Sequence, residues 1–275
     1  MARATLLATA VLPAGVAGAR GQAGASAISD NSFLVEEAYN QEPGVVQHIN
    51  GLLWRGRSGA WLYTFTQEWP IAGQRHQLSF TLPVERSGGP ASVTGVGDVA
   101  VNYRYQLAGP PTVGRVAVAP RISLLLPTGR ARSGTGAGGL GLQVSLPVSA
   151  TLAPRMVAHG NAGATVTPAA RNSAGDEAMT RATNLGGSLV WLARPGFNLL
   201  VEIAWTRAEE VTAPGAAAAA EELVVVPGVR WAHNFASGLQ IVPGIGFPVG
   251  VGASRGEHAA FFYLSFEHPF RSASS

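Results

Sequence analysis

The chain has 275 residues, 19 basic and 16 acidic, with no cysteine and no lysine; charged residues make up 13% and Gly and Pro number 35 and 18. The absence of cysteine excludes disulfides, thiol catalysis and cysteine metal sites, and the +3 net charge forms no basic stripe, so no nucleic-acid partner is expected. So few charges with so many turn formers suit neither an ordinary soluble surface nor a helical protein.

In chain order, residues 1–27 read as a secretory signal peptide. Arg3 supplies the positive n-region, Leu6 to Val16 a short apolar stretch broken by Pro13, and Ala25-Ser26-Ala27 a small-x-small cleavage site. Residues 28–44 are acidic and do not alternate; a helical turn or two ending before Pro43 is expected there. From Val45 to Phe270 the chain then alternates apolar and small or polar residues. In DVAVNYRYQL (98–107), Val99, Val101, Tyr103, Tyr105 and Leu107 share one face, and Asp98, Ala100, Asn102, Arg104 and Gln106 the other.

The pattern predicts twelve strands near 45–55, 59–69, 73–83, 95–107, 113–127, 139–153, 155–167, 182–193, 196–208, 221–233, 237–251 and 257–270. No mature segment has the roughly 18 unbroken apolar residues of a transmembrane helix, so membrane residence would require a closed barrel. Links also alternate. Pro70 to Ala72, Ala108 to Thr112, the stretch around Pro154, Arg194-Pro195 and Asn234 to Ala236 are short. Val84 to Thr94, Thr128 to Gly138, Pro168 to Arg181 and Glu209 to Ala220 read as long loops, while Gly56 to Ser58 is short. Short periplasmic turns and long outer loops have this asymmetry. Aromatic residues near strand ends (Trp61, Trp69, Tyr103, Tyr105, Trp191, Phe197, Trp205, Trp231, Phe262 and Phe270) read as interfacial girdles. The last strand, ending on Phe270 before a tail at 271–275, resembles the signal read by the outer-membrane assembly machinery.

The expected fold is therefore an all-β, up-and-down antiparallel transmembrane barrel of twelve strands over 45–270, in a Gram-negative outer membrane with lipid as its surroundings. DNSFLVEEAYNQEPGVVQHI (30–49) and GVGDVAVNYRYQL (95–107) resemble the family named for the meta-pathway of phenol degradation. That resemblance implies an outer-membrane barrel of transporter type and carries no substrate of its own.

Chemical motifs are weak. Gly134 to Gly139 has G-x-G-x-x-G spacing, but an alternating stretch follows where a dinucleotide site needs a helix. Gly252-Ala253-Ser254-Arg255-Gly256 matches a nucleophile elbow, but a strand follows. The histidines at 48, 76, 159, 233, 258 and 268 show no metal spacing, and no cofactor is expected. His159 and Asn161 share a face, as in barrel phospholipases, but no serine is marked as their partner.

Parity puts Glu68, Asp98, Arg104, Arg115, Arg121, Glu202, Arg230 and Glu267 in the lumen, with Arg104, Arg115 and Arg121 as a basic column. Such charges either pair and fill the lumen or set a field for solutes. A hairpin centred near Ala216 would set Glu202 opposite Arg230. The acidic segment, with Glu36, Glu37, Glu42, Phe33 and Tyr39, is a candidate plug for the lumen or a short periplasmic tail. The function expected is passive or facilitated passage of small solutes, with apolar or aromatic compounds suggested only by the name of the resembling family. A structural barrel with a closed lumen and an outer-membrane lipid-modifying enzyme are the alternatives.

Overall fold

The computed structural model describes residues 31–41, 43–71, 73–90, 92–109, 116–236 and 239–269. The signal peptide, residues 28–30, Glu42, Arg115, Phe270 and the 271–275 tail lie outside them. The described strands form twelve staves: β1 (Val45–Arg55), β2 (Trp61–Pro70), β3 (His76–Arg86), β4 (Thr94–Val96 and Val99–Tyr105), β5 (Val116–Val118 and Arg121–Leu126) and β6 (Gly141–Ala153). There follow β7 (Met156–Arg171), β8 (Glu177–Arg194), β9 (Phe197–Ala213), β10 (Ala216–Trp231, extended by His233–Asn234), β11 (Gln240–Gly246 and Val249–Gly250) and β12 (Ala259–Pro269). Each pairs antiparallel with its sequence neighbours, and β1 pairs with β12 from Val45↔Pro269 to Arg55↔Ala259, closing the barrel. Closure leaves no sheet edge, as a bilayer requires. Breaks in β5 and β11 fall at Pro120 and Pro248, which have no N–H to donate to a ladder.

Outward faces are apolar. Between an aromatic belt near the chain termini (Trp69, Tyr105, Trp191, Phe197, Trp231) and one near the opposite rim (Trp54, Trp61, Trp205), no Arg, Asp or Glu of the described residues faces outward by strand parity. Eight residues separate Trp61 from Trp69 and Phe197 from Trp205. At about 3.3 Å per residue and about 40° tilt they rise about 20 Å, close to the apolar band of such barrels.

Two sequence expectations fail above that band. Residues 168–181 and 209–220 are not long loops: β7 to β10 run 16 to 18 residues, joined by Asn172–Asp176 and by Pro214-Gly215. Hydropathy alternation fades there because small Ala and Thr fill the inner face of β7 and β8, where Ala170, Ala178 and Thr180 are buried, and Ala216 to Ala219 of β10 face water on both sides, while the ladder hydrogen bonds continue regardless. The β9–β10 register also differs, with Glu202 opposite Val226 and Asn198 opposite Arg230. The tight Pro214-Gly215 turn, with Gly215 at φ 71°, moves the hairpin centre two residues from the expected one.

The lumen is two-sided rather than uniformly polar. Inward residues of β2 to β7 are mostly polar, whereas Ile49, Leu53, Val190, Leu200, Val224, Val226, Val242, Phe261 and Tyr263 form an apolar half with Phe33 at its centre. Around Val224 and Val226 on β10 and around Phe261 on β12 both faces are apolar, so alternation alone does not mark the inner one there.

Candidate functional site: a filled barrel lumen

Residues 31–41 enter the lumen from the rim that carries β1 and cross it without forming a helix. The expected helical turns do not form because barrel side chains take the backbone groups that would have bonded within a helix. Glu202 accepts the N–H groups of Phe33 and Leu34, the latter at 2.7 Å. Ala38 donates to Ser149 Oγ at 2.9 Å, Asn40 to Gln106 Oε1 at 3.0 Å and Gln41 to Gln77 Oε1 at 2.7 Å. Gln106 Nε2 donates to the Ala38 carbonyl at 2.7 Å, and Arg230 to that of Asn31 at 2.6 Å. An irregular buried segment is tolerable only with such partners.

Three anchors hold it. Phe33 sits 5.3 Å from the Phe261 ring and 5.9 Å from Tyr263, over Gly228, Gly244 and Gly246. A Cβ on Gly244 or Gly246 would come within 2.9 Å or 2.8 Å of the Phe33 ring, and one on Gly228 would collide with it. Here glycine provides room, not a special φ.

The second anchor is Glu36. Its two oxygens lie 3.3 Å from Arg104 and 3.4 Å from Arg121, cross-strand neighbours on β4 and β5, and Ser145 donates to it at 3.2 Å. Glu68 lies 3.7 Å from Arg104 and accepts from Gln77 at 2.8 Å. Two adjacent guanidiniums would repel strongly in a dry interior, and the carboxylates offset them.

The third is a glutamine chain near the termini, from Gln41 to Gln47 to Glu267, each step 2.8 Å.

Of the parity-assigned charges, Glu68, Arg104, Arg121, Glu202 and Arg230 are thus buried against residues 31–41, and Glu267 is tied to them through Gln47. Glu202 and Arg230 are not cross-strand partners. They hold successive backbone groups of one segment, and the Arg230 guanidinium lies 4.6 Å over the Tyr263 ring. Asp98 has a different task. It accepts from Gly129 and Ala137 at 3.0 Å and 2.6 Å, and Glu85 from Gly136 at 2.9 Å, which pins the glycine-rich 127–140 loop at the rim opposite the termini. Arg115 and Glu42 lie outside the described residues. Glu37 and Tyr39 are buried; Glu37 accepts from the Ser32 N–H, and Tyr39 meets the His159 ring edge-on at 6.1 Å.

Sequence reasoning missed Ser149, whose hydroxyl lies 2.8 Å from His159 Nδ1, because the pair is joined only across β6 and β7. It also missed the Phe33 seat, though Gly244 and Gly246, two apart on one strand, marked a face without side chains. Among the described residues, no three His, Asp or Glu group as metal ligands. Beyond residues 31–41, towards the loop rim, a vestibule remains that runs from Glu257 and His258 down to Glu36, Arg121 and Gln143.

A closed twelve-stranded wall with an irregular segment inside now invites comparison. An outer-membrane channel from Pseudomonas putida F1 superposes with a TM-score of 0.61 at 16% identity, covering 84% of this chain and 97% of that one. The NanC porin superposes with a TM-score of 0.51 at 9% identity, covering 82% and 100%. The fold is one that outer-membrane channels share. No protein-family model matches the chain, and no curated protein matches it in sequence.

Proposed function

We propose that this chain is an outer-membrane channel for small solutes, apolar and aromatic compounds among them, with residues 31–41 as its plug. The observation that carries the reading is the combination of a charge-free apolar outer band with a lumen filled by a non-covalently held segment of the same chain. A purely structural barrel has no need of a separate, hydrogen-bonded filling. The resemblance to the phenol meta-pathway family and the solved channels of the same fold support the reading. Under it, residues 1–27 are removed on export, the assembly machinery reads β12, and the rim with the termini faces the periplasm. The test is planar-bilayer recording of the mature chain beside a variant lacking residues 28–42. Larger single-channel conductance in the variant is expected. Equal conductance removes the plug, and no conductance in either leaves the structural barrel.

One observation favours a second reading, an outer-membrane lipid-modifying enzyme: the 2.8 Å contact of Ser149 with His159. Both side chains are buried beneath Ala38 and Tyr39 inside the barrel, away from lipid, and Ser149 already accepts from Ala38. Lipid hydrolysis that is lost in His159→Ala would establish the enzyme; its absence in the parent chain would exclude it.

A further inference from the structure

The floor of the vestibule holds one of the chain's own carboxylates in a place built for one. Glu36 bridges Arg104 and Arg121 and accepts from Ser145. If it left, the two arginines would differ. Arg104 would keep Glu68 at 3.7 Å, whereas among the described residues Glu36 is the ion-pair partner of Arg121.

Arg121 is also under-used. Its Nη2 donates to Gln143 at 2.9 Å, but its Nε has no hydrogen-bond partner among the described residues, although the side chain is only 7% exposed. A guanidinium presents its donors as a planar fork suited to a carboxylate, and a buried donor without a partner costs free energy until one arrives. Arg121 lines the vestibule, whose other side carries Leu34, Leu53 and Val224 as an apolar patch beside the Arg55–Glu222 ion pair, whose charges already offset each other.

We propose that the vestibule binds small organic carboxylates with an apolar body, and that the bound carboxylate takes the place of Glu36 on Arg121 and so releases the middle one of the three anchors that hold residues 31–41. The proposal rests on the channel reading and names its substrate class. Exchange of one carboxylate for another keeps the charge balance of the buried cluster. A neutral solute would leave Arg121 with only the more distant Glu68 to offset it, and a cation would add repulsion. The apolar wall receives the body of the solute and disfavours fully hydrated anions such as chloride.

Benzoate and its neutral isostere benzamide serve as probes, titrated by calorimetry into the detergent-solubilised mature chain, with liposome swelling as a separate measure of permeation. The parent chain is expected to bind benzoate about tenfold more tightly than benzamide, as one charge-assisted hydrogen bond implies. Glu36→Gln removes the internal competitor and should tighten benzoate binding about tenfold again, and Arg121→Gln should abolish the preference. Equal binding of the two probes, or benzoate binding in Glu36→Gln no tighter than in the parent, overturns the site. Should Arg121→Gln fail to show the gel mobility of a closed barrel, the Glu36→Gln comparison decides alone. Benzoate binding without permeation of either probe would keep the site and reject the channel. Permeation with equal binding would keep the channel and reject the site.

Discussion

Phe33 reaches the barrel wall only because Gly228, Gly244 and Gly246 have no Cβ there. Its seat combines apolar burial with the Glu202 carboxylate, which holds two backbone N–H groups of the same turn. Gly228→Val should push the ring out at a cost of about 1–3 kcal/mol, the usual range for overpacking. The expected result is a higher open probability in bilayer recordings with the barrel itself intact. Unchanged gating would show that the seat does not hold the segment. On the channel reading, Glu202→Ala, which leaves the N–H groups of Phe33 and Leu34 without their acceptor at about 1–3 kcal/mol each, should raise the open probability further than Gly228→Val does. Of these residues, Glu202 was legible from strand parity. The Phe33 seat was not, since it assembles from β10, β11 and β12 and a segment about 200 residues earlier in the chain.

At the scale of elements, β7 to β10 extend well beyond the aromatic belt. From Trp205 to the end of β9 at Ala213 the strand adds as many residues as it spends between Phe197 and Trp205. The four staves therefore stand about 20 Å above the apolar band as a flap. The 127–140 loop packs on it, with the Arg171 N–H bonded to the Ala137 carbonyl at 2.7 Å. If the termini face the periplasm, the Pro214-Gly215 tip lies at the outer end of this flap, outside the cell. An epitope inserted between Pro214 and Gly215 should bind antibody on intact cells. Labelling only after permeabilisation would reverse the orientation. Strand lengths were misread here because period two identifies a strand only where its two faces meet different surroundings. Beyond the lipid both faces of β9 and β10 meet water, and Ala216 to Ala220 carry no pattern.

For the whole molecule, the outward band determines behaviour in solution. Leu124, Leu142, Leu146, Leu185, Ile203 and Phe262 all face outward and exposed, which in water would make a patch far larger than soluble monomers carry. The mature chain should require detergent and should migrate faster unboiled than boiled on gels, because closure ties every strand to two neighbours. Recovery as a soluble periplasmic monomer would contradict the barrel.

The sequence by itself determined the barrel: twelve alternating segments, their antiparallel order and the sign of the inward charges follow from a period of two and from the cost of charge in lipid. Glu36 likewise belongs to a stretch whose acidity opposes the Arg104–Arg121 pair. Only the tertiary structure decided which groups meet. The apolar half of the lumen, the register that separates Glu202 from Arg230, the Ser149–His159 contact and the bridging of two arginines by Glu36 all depend on closing the sheet. Pairing across strands is governed by turn geometry and by the packing of residues 31–41, and neither leaves a periodic trace along the chain.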